Sequence, residues 1–264
     1  MHKNPGFFTI DVEEYYHIIG VRGTPEIATW DRLPTRVDIG LNRLFDLLSQ
    51  HEVKSTLFFL GYMAQRHPHL VKKAIALGHE IASHGMYHIE VKGQNRKEFT
   101  ADAKQSKHLL EDIGGKPVIG YRSAGFSINH STPWFFEALI EAGFSYDSSL
   151  VPNRTQQRKL FPIPAHPASL KTPSGSIYEF PICVADLAGI QVSMFGGGYL
   201  RFFPHKMLEN AGKKTVLKRP LLIYIHPREL DPVNPHLSIN LFRKFKSYIN
   251  ISSVPQKLES LLNI

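Results

Sequence analysis

Apolar and polar positions along the chain alternate between two kinds of segment: short β-rich apolar runs, and longer stretches whose apolar residues recur at three- and four-residue steps. Phe7-Phe8-Thr9-Ile10 predicts a first strand, which ends in the acidic cluster Asp11-Val12-Glu13-Glu14. Val37, Leu41, Leu44, Leu47 and Leu48 then keep helical spacing, so a helix is expected from a Thr35 cap to near Gln50. Ser55–Leu60 reads as a buried strand. Pro68–Ala76 reads as a helix that proline opens and Gly78 stops, and Glu80–Ser83 as a third strand. The alternation continues with a helix over Lys97–Ile113 closed by Gly114-Gly115, a strand at Val118–Tyr121, a helix from Pro133 through Ala142, and a strand at Phe144–Asp147. Periodicity is lost in the proline-rich, basic stretch Val151–Ser169, which predicts a long loop. Ser176–Ile182 resumes as a strand, Pro204–Ala211 as a helix, and Leu221–Ile225 as a strongly apolar buried strand. Repeated βα units imply parallel strands covered by helices, in a barrel or a doubly wound sheet. No repeat, low-complexity run or linker divides the chain. Residues 1–264 are therefore expected to form one α/β domain with a C-terminal helical extension from about 236.

Composition narrows the classes. At 264 residues, 42% hydrophobic and 20% charged, the chain is an ordinary globular one and neither disordered, collagenous nor coiled-coil. Thirty-one Lys and Arg against 23 Asp and Glu give a formal charge of +8, which suits polyanions, anionic lipid headgroups or phosphorylated substrates. These cations are scattered rather than striped along one helix, which argues against nucleic acid as partner. The single cysteine, Cys183, excludes an intrachain disulfide and a Cys-rich zinc site, so any metal must use carboxylates and the 14 histidines. The start Met1-His2-Lys3-Asn4-Pro5-Gly6 has no leader-like apolar segment, and no run approaches 18 apolar residues. A cytoplasmic location is expected on that reading, including the inner face of the membrane.

The strongest local signal for chemistry is Ser83-His84-Gly85-Met86-Tyr87-His88. Histidines four residues apart lie on one side of a helical turn and can bind one ion, and these directly follow a strand, where parallel α/β folds put their sites. Asp11 and Glu13 point to one face if the segment is extended, while Val12 turns into the packing. One of these carboxylates with His84 and His88 makes a His₂-carboxylate site with positions open to water and substrate, the pattern of a hydrolytic rather than structural metal. A second carboxylate can act as general base. His226, after the Leu221–Ile225 strand, is the candidate general acid, and Arg122, after Val118–Tyr121, would hold a carboxylate ionised and oriented.

Taken in order, Asp11-Val12-Glu13, Ser83–His88, Gly120-Tyr121-Arg122-Ser123 and Ile225-His226-Pro227 resemble the motifs of the polysaccharide deacetylases, carbohydrate esterase family 4 with the NodB-homology fold. The resemblance runs from about Phe7 to Glu229 and includes Gly78–Ala82 and Tyr146–Ser149. It implies a distorted (β/α)7 barrel, one divalent metal that is usually zinc, and hydrolysis of an acetyl group on a sugar. Carried across, Asp11 corresponds to the base, His84 and His88 to metal ligands, Arg122 to the residue orienting the base, and His226 to the acid. The first motif departs from the commonest family pattern of two adjacent aspartates, because Val12 cannot bind metal. It is closer to a subgroup of exopolysaccharide and envelope-glycan loci with Asp-Val-Glu, which makes Glu13 the carboxylate ligand and Glu14 its reserve. Gly196–Arg201 and His226–Pro232 are also similar to that subgroup.

Tyr15, Tyr16 and Tyr199 are expected to supply aromatic faces for a sugar, and the backbone N–H of Tyr121 or a neighbour to hold the oxyanion. The expected partner is an N-acetylated sugar or glycan, with peripheral membrane contact through Arg201–Lys206 and room for a homo-oligomer. Deformylation of a lipid-linked aminosugar, hydrolysis of a cyclic amide, and a non-catalytic carbohydrate-binding barrel are the competing readings.

Overall fold

The structure, a computed structural model, describes residues 6–161 and 163–264; the N-terminal run Met1–Pro5 read above lies outside them, as does Pro162. In chain order the regular elements are β1 (Phe7–Val12), α1 (Val37–Gln50), β2 (Ser55–Phe59), α2 (Gly61–Arg66), α3 (Pro68–Ala76), β3 (Glu80–Ser83), α4 (Arg96–Gly114), β4 (Gly120–Tyr121), α5 (Phe135–Glu141) and β5 (Tyr146–Asp147). They continue as α6 (Thr155–Leu160), β6 (Ala168–Thr172), β7 (Gly175–Glu179), β8 (Ala185–Leu187), β9 (Ile190–Val192), α7 (Gly197–Phe202), α8 (His205–Val216), β10 (Leu222–Ile225), α9 (Leu241–Tyr248) and α10 (Val254–Leu262). Contacts divide them into two compact units, Met1–Ser55 with Met194–Ile264, and Thr56–Ser193. No helix among the described residues is long and apolar enough to cross a membrane.

In the first unit, β1 and β10 pair in parallel with Phe7 opposite Leu222 and Ile10 opposite Ile225. Both strands are apolar nearly throughout, as a parallel ladder covered on its faces requires. The buried stripe of α1 (Val37, Leu41, Leu44, Phe45, Leu48) packs against a 3₁₀ turn, Pro227–Leu230, that follows β10. Gly40 sits at this contact, where an added Cβ would overlap the Pro227 carbonyl. The helix is not capped by Thr35. Instead the Glu14 carboxylate, just past β1, accepts the backbone N–H groups of Arg36 (2.6 Å) and Val37 (2.9 Å) and the Thr35 hydroxyl (2.5 Å). A capping carboxylate is supplied by a distant segment because Arg36, at the N-cap position, has no side-chain acceptor to offer.

The second unit holds strands in the order β2-β3-β4-β5-β7-β6. The pairs from β2 through β7 are parallel, and β6 returns antiparallel to β7. The longest helix, α4, starts with an Asn95–Glu98 capping box and ends at Gly115 in the left-handed conformation, φ 63°. It packs on α2, α3 and α5. The stretch expected as a featureless loop holds α6 and the start of β6, so Val151–Ser169 is more ordered than its composition suggests. The hairpin β8–β9 and the short α2 were likewise absent from the sequence reading. An antiparallel β6 at the end of a parallel series departs from strict βα repetition.

Candidate functional site

In the first unit the end of β1 and the end of β10 lie side by side, because the ladder that pairs Ile10 with Ile225 carries Asp11 and His226 out together. Glu13 follows after a tight turn in which its N–H reaches the Asp11 carbonyl, 3.1 Å. His226 Nε2 lies 3.0 Å from Glu13 Oε1 and 3.9 Å from Asp11 Oδ2. On the other side of the ring, Nδ1 is 3.1 Å from Glu229 Oε2, which also accepts the His226 backbone N–H at 3.0 Å. Asp11, Glu13 and Glu229 are buried.

Glu229 in turn meets the guanidinium of Arg201, which is buried as well. Burial and the nearby Arg228 charge push Arg201 down to about 9, but a guanidinium against a buried carboxylate stays charged. Arg201 is held in turn by its own surroundings. One N–H donates to the Lys246 carbonyl at 3.0 Å, and the buried Lys257 ammonium of α10 donates to the last carbonyls of α7, Leu200 (3.1 Å) and Arg201 (2.7 Å). The order Arg201, Glu229, His226 and Glu13 therefore alternates cation, anion, imidazole and anion.

In the second unit, His84 and His88 follow β3 with ring centroids 5.1 Å apart. They are not on a helical turn as their spacing suggested. The loop reverses through left-handed Gly85 (φ 79°) and His88 (φ 54°), and this brings the rings together. His84 Nδ1 lies 2.8 Å from the Arg122 carbonyl, so Nδ1 carries the proton and Nε2 the lone pair that a metal ligand needs. Arg122 is fully buried. Its Nε donates to the Ser148 carbonyl (3.1 Å), Nη2 donates to Ser148 Oγ (2.9 Å), and the plane stacks 4.0 Å from the Phe58 ring centroid.

Next to Ser148, Asp147 and Glu179 face each other across the β5–β7 ladder, both fully buried. Asp147 accepts from Ser149 N (2.9 Å) and Oγ (2.7 Å), and Glu179 accepts from Leu150 N (3.0 Å). Burial pushes Asp147 up to about 6. Burial and the neighbouring Asp147 carboxylate push Glu179 well above the usual carboxylate range.

Several expectations are corrected. Glu14, held in reserve as a carboxylate ligand, instead caps α1 through Oε1, and its Oε2 accepts the Tyr15 N–H at 3.3 Å. Tyr16 is fully buried, edge-on to Tyr15 and His17, and Tyr15 is buried too, so neither ring offers a face to a sugar. Tyr121 is enclosed by Phe99, Phe135 and Phe144, which limits it to a backbone role. Tyr199 on α7 is exposed, with Phe203 stacked 6.3 Å and Lys246 Nζ 5.7 Å from its ring centroid. Sequence reasoning missed Arg201 and Glu229 as partners of His226. The Glu three residues after His226 was a legible capping-box signal, whereas Arg201 becomes a partner only through tertiary packing.

Residues 26–146 match the family model described as polysaccharide deacetylase, and residues 148–264 match a domain of unknown function, DUF3473. His84, His88 and Arg122 fall in the first segment, Arg201, His226 and Glu229 in the second, and Asp11 and Glu13 precede both. A 102-residue stretch is 31% identical to a peptidoglycan-N-acetylglucosamine deacetylase of Bacillus cereus, covering 39% of this chain and 46% of that protein. The chain thus spans less than half the length of the curated relatives it matches. Among solved structures it is similar to Puue allantoinase, with a TM-score of 0.60 at 16% identity over 97% of this chain and 90% of that one. It is also similar to the family 4 carbohydrate esterase of Streptomyces lividans, with a TM-score of 0.53 at 12% identity over 99% and 89%. The family model and the relative support a polysaccharide deacetylase domain, and the two structures share its fold.

Proposed function

We propose that the protein is a metal-dependent hydrolase that removes the N-acetyl group from an amino sugar of a glycan or glycan precursor. The observation that carries this reading is His226, an imidazole fixed at both nitrogens by Glu13 and Glu229 beside a third carboxylate, Asp11. That is the equipment for moving protons in both directions at one bond. The donor set fits a divalent cation, since the hydrogen bond to the Arg122 carbonyl sets His84 Nε2 as a lone-pair nitrogen. Glu13, His84 and His88 would hold the ion, zinc being expected, and it would supply Lewis-acid polarisation of water and of the amide carbonyl.

Asp11 Oδ2 takes the proton of the attacking water. The backbone N–H groups at the end of β4, expected to hold the oxyanion, are taken up in the fold: Tyr121 lies in the β4–β5 ladder, Arg122 N–H donates to the Ser83 carbonyl (2.9 Å) and Ser123 N–H to Ser149 Oγ (2.8 Å), so no oxyanion donor is assigned there. His226 Nε2 gives its proton to the departing amine nitrogen, without which an amine leaves poorly. Glu229 and Arg201 hold the ring during the transfer. Acetate and a free amino sugar are the products.

The test is acetate release from N-acetylated oligosaccharides by the metal-loaded protein, with formylated aminosugars in parallel. His84→Ala is expected to lose both the bound metal and the acetate release. Asp11→Asn should keep the metal and lose most turnover. If His84→Ala retains one equivalent of metal at unchanged affinity, the ligand assignment fails. Loss of metal from Asp11→Asn would make Asp11 a ligand rather than the base.

A further inference from the structure

Among the described residues α9 has an unusual position in the first unit: none of its eight residues is buried, yet its sequence Leu-Phe-Arg-Lys-Phe-Lys-Ser-Tyr is amphipathic. Leu241 is 85% exposed, Phe242 74% and Phe245 55%. At helical spacing Leu241, Phe245 and Tyr248 share one side with Phe242 at its margin, while Arg243 and Lys246 lie away from that side. The helix is nonetheless well anchored. Asn240 caps its N-terminus through the Arg243 N–H at 2.9 Å, and the Tyr248 hydroxyl accepts the Leu237 N–H at 3.0 Å.

A second element extends this surface. α7 packs against α9, with Lys246 Nζ 5.7 Å from the Tyr199 ring centroid; Phe203 meets both Tyr199 and Phe202, and Phe202 is 55% exposed. Val233, in the loop before α9, is 71% exposed.

Charge identifies the occupant. The chain carries no Asp or Glu between Asp186 and Glu209, which spans α7, and none between Asp231 and Glu259, which spans α9. The cations in the same stretches include exposed Lys206, Lys244 and Lys246. We propose that α9, with the adjoining aromatic side chains of α7, docks the protein onto an anionic lipid bilayer. The aliphatic and phenyl groups enter the acyl–headgroup boundary and the Lys and Arg side chains meet lipid phosphates. A second copy of the chain fits this surface poorly, because it would bring two all-cationic helices together. A glycan gains stacking from Phe and Tyr but nothing from Leu241 and Val233. The surface takes in Phe202 and Lys206 of the Arg201–Lys206 segment read from sequence but not Arg201, which is buried against Glu229. The proposal does not depend on the reaction.

The test is co-sedimentation of the full chain with vesicles of phosphatidylcholine alone and with phosphatidylglycerol added, at low and at 0.5 M salt. Binding is expected only with the anionic lipid and should weaken at high salt. Phe242→Ser with Phe245→Ser should lower partitioning at least tenfold while the melting curve stays in place, because both side chains are exposed. Lys206→Glu with Lys244→Glu should also weaken it. The proposal is overturned if anionic vesicles do not bind the protein, or if binding is indifferent to the Phe variants. It is also overturned if light scattering shows a dimer that Phe242→Ser abolishes, or if soluble chitooligosaccharide binds the wild type but not the Phe variant.

Discussion

At His226 each ring nitrogen points at a carboxylate oxygen, an arrangement satisfied when each nitrogen donates. An amine must be protonated to leave, whereas an activated phenolate leaves unaided, so the acid matters to one bond and not to the other. His226→Ala is therefore expected to lower deacetylation of an N-acetylated sugar by roughly 10²–10⁴-fold while sparing much of the hydrolysis of an aryl acetate. Both rates are measured on one metal-loaded preparation; equal losses would assign His226 to the metal site instead. Glu229 is held by the ring and the backbone N–H of His226 and by Arg201. Glu229→Gln leaves the Arg201 charge buried and uncompensated, which costs about 3–5 kcal/mol. Adding Arg201→Met removes that charge, so the double variant should recover much of the stability in urea unfolding without recovering kcat. Recovery of kcat along with stability would reduce Glu229 to a structural role.

At the element scale, α1 receives its cap from Glu14 and its register from Gly40. Glu14→Ala removes the acceptor for two backbone N–H groups and is expected to destabilise by about 2 kcal/mol or more. Its metal content should match the wild type; a loss of metal would return Glu14 to the ligand set. Gly40→Ala pushes on the Pro227 carbonyl, and Pro227 follows His226, so the variant should lose activity as well as stability. The βα alternation that builds these elements is written in local sequence. β1 runs two residues past Ile10, through Asp11 to Val12, whereas the end of β10 at Ile225-His226 reads correctly because an apolar run stopping at a polar residue is a local signal. Glu14 was misread for the same reason: adjacent to Glu13, it carries no local mark that its partners lie more than 20 residues away. The His84–His88 turn escaped because four-residue spacing suits both a helix and a loop reversed at Gly85. α6 escaped because a helix of Thr-Gln-Gln-Arg-Lys-Leu has almost no apolar periodicity.

Over the whole chain, the residues assigned to the reaction divide among the two matched segments and the stretch before them. The region of unknown function carries His226, the proposed acid, together with Glu229 and Arg201, so its proposed part is to build and hold the proton donor. Stability of the molecule should also carry the mark of the buried pair Asp147 and Glu179. Both carboxyls are raised in the folded state, Asp147 to about 6 and Glu179 well above the usual carboxylate range, mainly because burial disfavours the anions. In the unfolded chain they ionise near their ordinary values of 3.8 and 4.5. Above those values the folded state therefore binds more protons than the unfolded state. By linkage its stability falls as pH rises, beginning above about pH 4 and continuing past pH 6. Glu179→Gln keeps an acceptor for the Leu150 N–H and offers an amide N–H to Asp147, standing in for the protonated acid at every pH. The melting temperature of the wild type should thus decline more steeply between pH 5 and 8 than that of Glu179→Gln, with the variant gaining relative to wild type toward pH 8. Parallel profiles for the two proteins would mean that the pair does not hold its proton, and that Arg122 alone balances the buried charge.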